Sequence, residues 1–500
     1  FTFLSAGPRT GEARHRTLRA TLDWSYQLLP DTEQSLLRRL AVFRGGWTLD
    51  AAEHVCSSSD IEAGEVVDLL FRLVDRSLVV PDPETGRFRL LVTIRDYAWT
   101  KLREAGEADA VQSRHLAYFT TFAVEHGSLT RSGGPGSVRM REEHDNHRAA
   151  LDYAIDRARR SGRPEDVDAG FRLTNAMIWF WAWNLRYEGV AAMKALLALP
   201  GGSATCRALG MQGLAAFHVH YPTPESRAAA EESLALLQEI GDTQNAAMTR
   251  LVIAWKGQFE RNFERPWALI GQAEQELARG SEPGSRVLLH YLKALLHLAQ
   301  GTFAESIPEW ELALAQARKI DHQVLEGAMC SHLGIALRET GRPGEAMTSL
   351  RRAVALDERG NSLHGLAFAL VHLAHTLLAV GDHGEARDLL ARVNDIARRV
   401  QNPRCQAWAA WGRARLAVAE GRCDVALDEC GRAADLFRDR EFPWAMNQFW
   451  EFLAGTATAA GRPDIAEQAR ARGRGEGHEQ PSSLTTASAC AKSTSPVIRT

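Results

Sequence analysis

Small and apolar residues recur with a fixed period in the C-terminal half of the chain. Glycines stand at 40-residue intervals; each is followed five residues later by Ser or Ala and preceded seven residues earlier by Ala or Gly. Mostly apolar residues come nine positions after four of these glycines, at Trp310, Leu350, Leu390 and Cys430. This spacing puts an apolar stripe on a helix, and the glycine can end one helix and turn into the next. The pattern predicts an array of helix pairs over residues 205–475. Its glycines are Gly301, Gly341, Gly381, Gly421 and Gly461, and its small residues are Ser306, Ala346, Ala386, Ala426 and Ala466 after them and Ala294, Gly334, Ala374, Ala414 and Ala454 before them.

The steps between the small positions resemble those of the tetratricopeptide repeat. The period of 40 residues exceeds that family's length of about 34, which implies longer helices or longer turns. A HEAT-like array also has a period near 40 residues and remains an alternative, but the small-residue offsets favour the tetratricopeptide interpretation.

The resemblance to tetratricopeptide repeats implies a superhelix with a concave binding face. That face is lined by first-helix positions thirteen, ten, six and three residues before each glycine. Aromatic groups there are natural anchors for a protein or small-molecule effector, although the same positions also suit core packing between repeats. The predicted partner-binding residues are Trp255, Gln258, Tyr291, Phe368, His375, Trp408, Trp411, Arg415, Gln448 and Glu451.

The N-terminal part has the pattern of a winged helix. Apolar residues at helical spacing follow Asp31, a short helix can begin after Asp50, and a third helix runs near Glu65. Residues 78–80 and 87–91 then flank a turn-rich segment typical of a β-hairpin. The third helix is acidic, and this favours packing against protein over DNA recognition. Its charged residues are Glu62, Glu65, Asp68 and Asp75 against Arg72 and Arg76.

Composition narrows the function classes. The formal net charge is −3, so no global basic field attracts nucleic acid, and seven scattered cysteines form no CxxC pair. The most apolar run, residues 177–183, is too short to span a membrane, and the first ten residues lack the charged and apolar regions expected of a signal peptide. We therefore expect a cytoplasmic protein. No catalytic or metal-binding motif has supporting context, so we expect neither an enzyme nor a metal site.

Several motifs in order resemble bacterial signal-transduction ATPases with numerous domains (STAND, of NB-ARC type), which are nucleotide-switch transcriptional regulators. They are TLRATLDWSYQLLP, LLRRLAVFRGGWTLDAAEHVC, LLFRLVDRSLV, FRLLVTIRDYAWTKLREAGE and EHDNHRAALDYAI, and the resemblance covers about residues 1–475. In that family a P-loop domain precedes the winged helix. This chain has no GxxxxGK[ST] motif and no Gly-Lys pair, so ATP or ADP is expected only on a missing upstream domain.

The resemblance also suggests that the winged helix makes no polar contact with nucleotide. A Met-His-Asp motif touches the nucleotide in eukaryotic relatives, and the matching positions are Leu90, Leu91 and Val92.

The predicted fold is mainly α-helical, with a small winged-helix domain, a helical linker and a tetratricopeptide-like α-solenoid. The predicted segments are a linker remnant (1–17), the winged helix (18–105), the helical linker (106–204), the array (205–475) and a disordered tail (476–500).

The expected function is non-catalytic sensing: the array binds an effector, and the winged helix relays this to a nucleotide-binding domain in cis. Two alternatives remain. The chain can be an autonomous DNA-binding regulator that uses Arg9, Arg14, Arg16 and Arg19, or part of an ATPase whose nucleotide-binding domain is encoded upstream.

Overall fold

The computed structural model describes residues 10–127, 135–184, 186–218, 223–260, 262–278, 283–320, 322–360, 362–400, 402–437 and 441–474. The predicted tail, 476–500, and residues 1–9 of the predicted linker remnant lie outside these ranges. The chain divides into two compact units, the first comprising Phe1–Phe217 with Ala228–Gly241 and the second His218–Arg227 with Asp242–Thr500. Each is described by itself below.

The first unit begins with the predicted winged helix. Its elements are α1 (Thr10–Gln27), α2 (Asp31–Leu40), α3 (Leu49–Cys56), a 3₁₀ turn (Ala63–Glu65), α4 (Val66–Asp75), β1 (Val80–Asp82), β2 (Arg87–Arg89) and α5 (Val92–Glu104). The two strands are antiparallel, with Val80 opposite Arg89. Trp47 adds a backbone bridge to Phe88. Thr48, rather than Asp50, caps α3 by accepting a hydrogen bond from the Ala51 N–H. The prediction of three helices and a hairpin is confirmed.

The rest of the first unit is helical. It contains α6 (Ala108–His126), α7 (Pro135–Glu142), α8 (His144–Ser161), α9 (Pro164–Ala176), α10 (Ile178–Asn184), α11 (Arg186–Leu197), α12 (Ala204–Ala216) and most of α13 (Pro224–Glu239). The predicted array began at residue 205, whereas α12 and most of α13 pack with the first unit. The predicted domain boundaries themselves stay predictions.

The second unit is the repeat array. Its helix pairs are α14 (Thr243–Lys256) with α15 (Glu264–Leu277), α16 (Pro283–Gln300) with α17 (Phe303–Lys319), α18 (Gln323–Glu339) with α19 (Pro343–Arg359), α20 (Leu363–Val380) with α21 (His383–Arg399), α22 (Pro403–Ala419) with α23 (Cys423–Phe437), and α24 (Pro443–Ala459) with α25 (Pro463–Gly473). A 3₁₀ turn (Gly257–Phe259) follows α14. Most helices from α17 to α22 are 17 residues long, which accounts for the period of 40.

The repeated glycines make the turns inside the helix pairs. All five predicted glycines have φ between 69° and 85°, a left-handed conformation that glycine adopts without steric cost. In the turn at Gly341, the next N–H, that of Arg342, bonds back to the Leu337 carbonyl at 2.8 Å and closes the helix end. The small residues permit close packing: a Cβ on Gly334 would lie 2.5 Å from Leu350 Cγ. The predicted role of the glycine and small-residue positions is confirmed.

One helix among the described residues, Leu363–Val380, is long and apolar enough to pass a membrane-span test by length and composition. Most of it is buried inside the array, as in the core helix of a folded domain.

Candidate functional site

Rings from the first helices of the array, together with Trp310 on the second helix α17, contact one another in a continuous series. Ring centroids are 5.3 Å apart between Tyr291 and Trp310, 5.1 Å between His332 and Phe368, and 4.7 Å between His372 and Trp408. Such edge-to-face and offset contacts stabilise aromatic clusters beyond simple burial. We call this series the ring ladder; it consists of Trp255, Tyr291, Trp310, His332, Phe368, His372, Trp408 and Trp411.

The predicted partner-binding residues fall into two groups. Phe368 and Arg415 are partly exposed, and Gln448 and Glu451 are exposed. A buried side chain offers little surface to a partner, so these four residues form the accessible part of the predicted face. Partner binding by any of the ten residues stays a prediction. The buried group is Trp255, Gln258, Tyr291, His375, Trp408 and Trp411.

An ion pair that the sequence did not reveal lies beside the ladder. Arg404 donates to both carboxylate oxygens of Glu441, at 2.7 and 2.6 Å, and the Trp408 indole N–H donates to the same carboxylate at 2.6 Å. The guanidinium also lies 5.0 Å from the Phe368 ring centroid and 4.9 Å from that of Phe442. Arg404 stands at the start of α22, outside the four positions before each repeat glycine that are predicted to line the concave face. The repeat pattern therefore did not indicate it.

The last helix pair reaches back to earlier pairs. Gln448 on α24 donates to Glu339 of α18 at 2.9 Å. The Phe303 and Trp444 rings are 5.1 Å apart, and Phe442 stacks on Phe259 at 5.8 Å. The superhelix therefore coils tightly enough for its sixth pair to contact its first three.

Basic groups line the same interior. Arg415 Nη1 donates to His375 Nδ1 at 3.1 Å, while His375 Nε2 is 2.9 Å from the Trp408 carbonyl oxygen, to which it can donate. Burial, followed by the charge of Arg415, holds the pKa of His375 well below its ordinary value. Burial and the charge of Arg338 do the same to the pKa of His372. Both imidazoles are therefore neutral at pH 7.

The exposed residues of α4 in the winged helix are Asp68, Phe71, Arg72 and Asp75, a mixed rather than a basic surface. Phe71 is exposed at its centre, and Arg76 pairs with the buried Glu33 at 3.1 Å. Arg72 lies 4.0 Å from the same carboxylate. The charges of both arginines are thus partly neutralised; the preference of this helix for protein over DNA stays a prediction.

The basic cluster of the DNA-binding alternative is only partly visible. Arg9 and the side chains of Arg14 and Arg16 lie outside the described residues. Arg19 is exposed on α1.

A polar contact joins the winged helix to the linker helices within the first unit. The Arg87 guanidinium on β2 forms a two-bond ion pair with Glu143, just before α8. Asn146 donates to the Glu143 carboxylate at 2.6 Å and to the Gly46 carbonyl at 2.9 Å, and its own oxygen accepts from the Arg44 N–H at 2.7 Å. We call these five residues the wing latch.

The latch depends on a glycine. Gly46 has φ of 100°, and a Cβ there would lie 2.8 Å from the Phe88 carbonyl oxygen. The sequence motif EHDNH marked this helix, but its partner loop lies 100 residues earlier and was not predicted.

A cleft of about 570 Å³ opens beside the latch. Its charged lining is balanced, with three arginines and three aspartates, and gives no preference for a ligand charge. Those residues are Arg44, Arg95, Arg148, Asp145, Asp152 and Asp156.

Within the described ranges, no group of three or more His, Cys, Asp or Glu side chains is placed to hold a metal. The six cysteines in those ranges are free thiols.

The comparisons with known proteins agree with this architecture. Residues 29–103 match a winged helix-turn-helix domain family. The chain is 36% identical over 269 residues, 51% of its length and 29% of the relative's, to a provisionally named HTH-type transcriptional regulator of Mycobacterium tuberculosis. It is 46% identical over 124 residues, 24% of its length and 30% of the relative's, to an uncharacterised protein of Mycobacterium bovis. The chain thus spans under a third of these relatives.

Two solved structures share the fold. A STAND protein with a tetratricopeptide repeat sensor from Pyrococcus horikoshii has a TM-score of 0.53 at 15% identity, covering 90% of this chain and 64% of that one. A Rap protein complexed with competence and sporulation factor has a TM-score of 0.54 at 12% identity, covering 72% and 97%. Identities this low establish the fold alone. The chain thus combines a winged helix-turn-helix domain with a tetratricopeptide-like helical array, the fold that the STAND protein with a tetratricopeptide repeat sensor also has.

Proposed function

We propose that this chain is the non-catalytic sensing and relay region of a STAND-type transcriptional regulator. The array binds a protein or small-molecule effector on its inner face, and the winged helix passes the change to a nucleotide-binding domain in cis. ATP or ADP belongs to that domain, and the protein works in the cytoplasm.

The tight coil of the array carries the sensing part of the proposal. The Phe442–Phe259 stack joins helices that are far apart in sequence, and Arg404, which pairs with Glu441, lies over both of these rings. An effector that enters between them must alter these contacts, so its binding changes the coil. A regular array with contacts only between neighbouring repeats would lack this response.

The wing latch carries the relay part. Glu143 is buried and bonded to Arg87, so movement of α8 is transmitted to the wing through an ion pair and two buried amide contacts. Packed elements held in this way transmit displacement because their contacts are either made or broken.

The test replaces the unknown effector with a substitution that opens the array. Arg404→Ala leaves the Glu441 carboxylate buried without its cation. Removing one partner of a buried ion pair lowers the free energy of unfolding by about 3–5 kcal/mol. We expect hydrogen–deuterium exchange in peptides covering residues 80–91 and 143–155 of the full chain to change at least about threefold. The matched control is Arg392→Ala, which removes an exposed ion pair with Glu358. It should leave the exchange rate of both peptides unchanged. An unchanged rate in both peptides of the Arg404→Ala protein contradicts the relay.

DNA binding is the second candidate, favoured by the winged helix-turn-helix match over residues 29–103. A mobility-shift titration with duplex DNA at low salt separates the two functions. We expect no shift, because α4 offers an exposed Phe71 and arginines already paired with Glu33. A shift that weakens steeply with added salt would instead support DNA binding.

A further inference from the structure

Arg415 is a largely buried cation without a carboxylate partner among the residues that the structure describes. Its guanidinium donates to the His375 ring at 3.1 Å and, at 3.5 Å, to the His375 carbonyl. Burial and the nearby charge of Arg338 lower the pKa of Arg415 to about 10, opposed by the charge of Glu339, which is not within ion-pair distance of it. Buried charges in proteins are normally paired.

The two carboxylates that are hydrogen-bonded into this network, those of Glu339 and Glu441, are already engaged. Glu339 accepts from Arg338 at 2.7 Å and from Gln448 at 2.9 Å. Glu441 is bonded to Arg404, Trp408 and the Phe442 N–H. Three arginines therefore share two carboxylates in this network, and one positive charge remains in excess.

Other buried polar groups of this region lack hydrogen-bond partners. Both ring nitrogens of His372, the indole N–H of Trp411 and Nη1 of Arg338 are buried without one. His372 is 1% exposed. A buried polar atom that makes no hydrogen bond is destabilising by about 1–3 kcal/mol, so several in one place call for a ligand or water that they contact when the protein functions.

These groups come from neighbouring first helices. Arg338 ends α18, His372 lies on α20, and Trp411 and Arg415 lie one helical turn apart on α22. The His375 ring connects them, since it contacts the Trp411 ring at 5.4 Å and accepts from Arg415. Arg415 is partly exposed and offers the approach from solvent.

We propose that Arg415, with Arg338, His372 and Trp411, forms an oxyanion subsite on the inner face of the array. It takes a carboxylate or a phosphate group of the effector, while the adjoining ring ladder suits a flat apolar portion. The fork of an arginine binds either oxyanion with two parallel hydrogen bonds, and a neutral His372 can donate one more. This inference rests on the proposed sensing function and adds the chemical class of the effector.

The experiment titrates the full chain with benzoate, phenyl phosphate and the neutral analogue benzamide at constant ionic strength. Isothermal calorimetry measures binding and differential scanning fluorimetry measures stabilisation. We expect saturable binding of one equivalent of an anionic probe and none of benzamide. Preference for benzoate or for phenyl phosphate identifies the group that the effector carries.

Substitutions locate the site. Arg415→Gln should weaken binding at least about tenfold, whereas Arg415→Lys should retain part of it because the charge remains but the fork is lost. Trp411→Phe keeps the ring in place and should weaken binding about threefold through loss of the indole N–H. The matched control is Arg413→Gln on the same helix, whose guanidinium pairs with Glu429 and which should bind as the wild type does.

The proposal is overturned if neither anion binds saturably, or if Arg415→Gln and Trp411→Phe, shown to be folded by circular dichroism, both bind with wild-type affinity. These results leave the exchange experiment on Arg404→Ala untouched. A failed oxyanion site is therefore distinguishable from a failed relay.

Discussion

Asp357 shows at the scale of one residue how the array tolerates a carboxyl group in its interior. The side chain lies at the end of α19, 2% exposed, with Oδ2 unbonded. Burial raises the pKa of this carboxyl to about 7, opposed by a hydrogen bond from Ser362. Between the unfolded pKa of 3.8 and about 7, the folded state keeps a proton that the unfolded state has lost. The contribution of Asp357 to stability therefore falls as pH rises through this window and is constant above it.

We expect Asp357→Asn to remove this pH dependence. The amide oxygen can still accept from Ser362, and no charge has to be buried. Relative to the wild type, the variant should gain on the order of 1 kcal/mol of unfolding free energy per pH unit between about pH 4 and 7. Urea denaturation at a series of pH values measures this. Asp395→Asn, at an exposed ion pair with Arg398, is the control and should show no such trend; a parallel pH profile for wild type and Asp357→Asn contradicts the assignment.

The repeat register alone could not separate the core of the array from its surface. Trp408 and Gln448 both stand thirteen residues before a repeat glycine, yet Trp408 is buried and Gln448 is exposed. The register predicts which side of a helix faces inward. It does not contain the coiling that brings α24 onto earlier helices, and that coiling decides which inward positions reach solvent.

The wing latch belongs to the scale of elements, because it joins β2 and the loop before α3 to the start of α8. Asn146 is its centre: its side-chain amide bonds to the backbone of Arg44 and of Gly46 and to the Glu143 carboxylate. Asn146→Ala leaves those groups unpaired, and the expected loss of stability is about 2–4 kcal/mol. Thermal unfolding of the full chain measures the loss, and exchange in residues 80–91 should rise with it.

A surface position on the same helix provides the comparison. Asp156→Ala removes an exposed pair with Arg160 and should change stability by less than about 0.5 kcal/mol. Equal effects of the two substitutions would show that the latch hydrogen bonds contribute nothing specific.

Elements were predicted well where the pattern was local. Small residues and glycines at fixed offsets in each repeat predicted the helix pairs. The close packing of two helices requires a small residue such as Gly334 opposite Leu350, and the left-handed turn between them requires a glycine such as Gly341. The latch escaped prediction because its hydrogen bonds join residues about 100 positions apart. The ion pair of Arg404 with Glu441 escaped for a similar reason, as its members lie on different repeats.

At the scale of the whole array, the coil should make distant repeats cooperate. Repeat proteins with contacts only between neighbours respond locally to a destabilising substitution. Phe442 stacks on Phe259 of the first helix pair and supports the Arg404 guanidinium. Phe442→Ala should therefore lower the free energy of unfolding by about 3–5 kcal/mol and also destabilise the first helix pair. Hydrogen–deuterium exchange should rise in peptides covering residues 250–260.

Leu390→Ala supplies the contrast at comparable burial. Leu390 packs beneath Gly412 in the middle of the array, where a Cβ on that glycine would lie 2.6 Å from Leu390 Cδ2. Truncation of this side chain should lower the free energy of unfolding by about 2–5 kcal/mol, and the rise in hydrogen–deuterium exchange should stay within α19–α23. If Phe442→Ala leaves residues 250–260 as protected as Leu390→Ala does, the ends of the array are not energetically coupled. The contacts between the first and last helix pairs would then not transmit destabilisation from one to the other, as the proposed effector sensing requires.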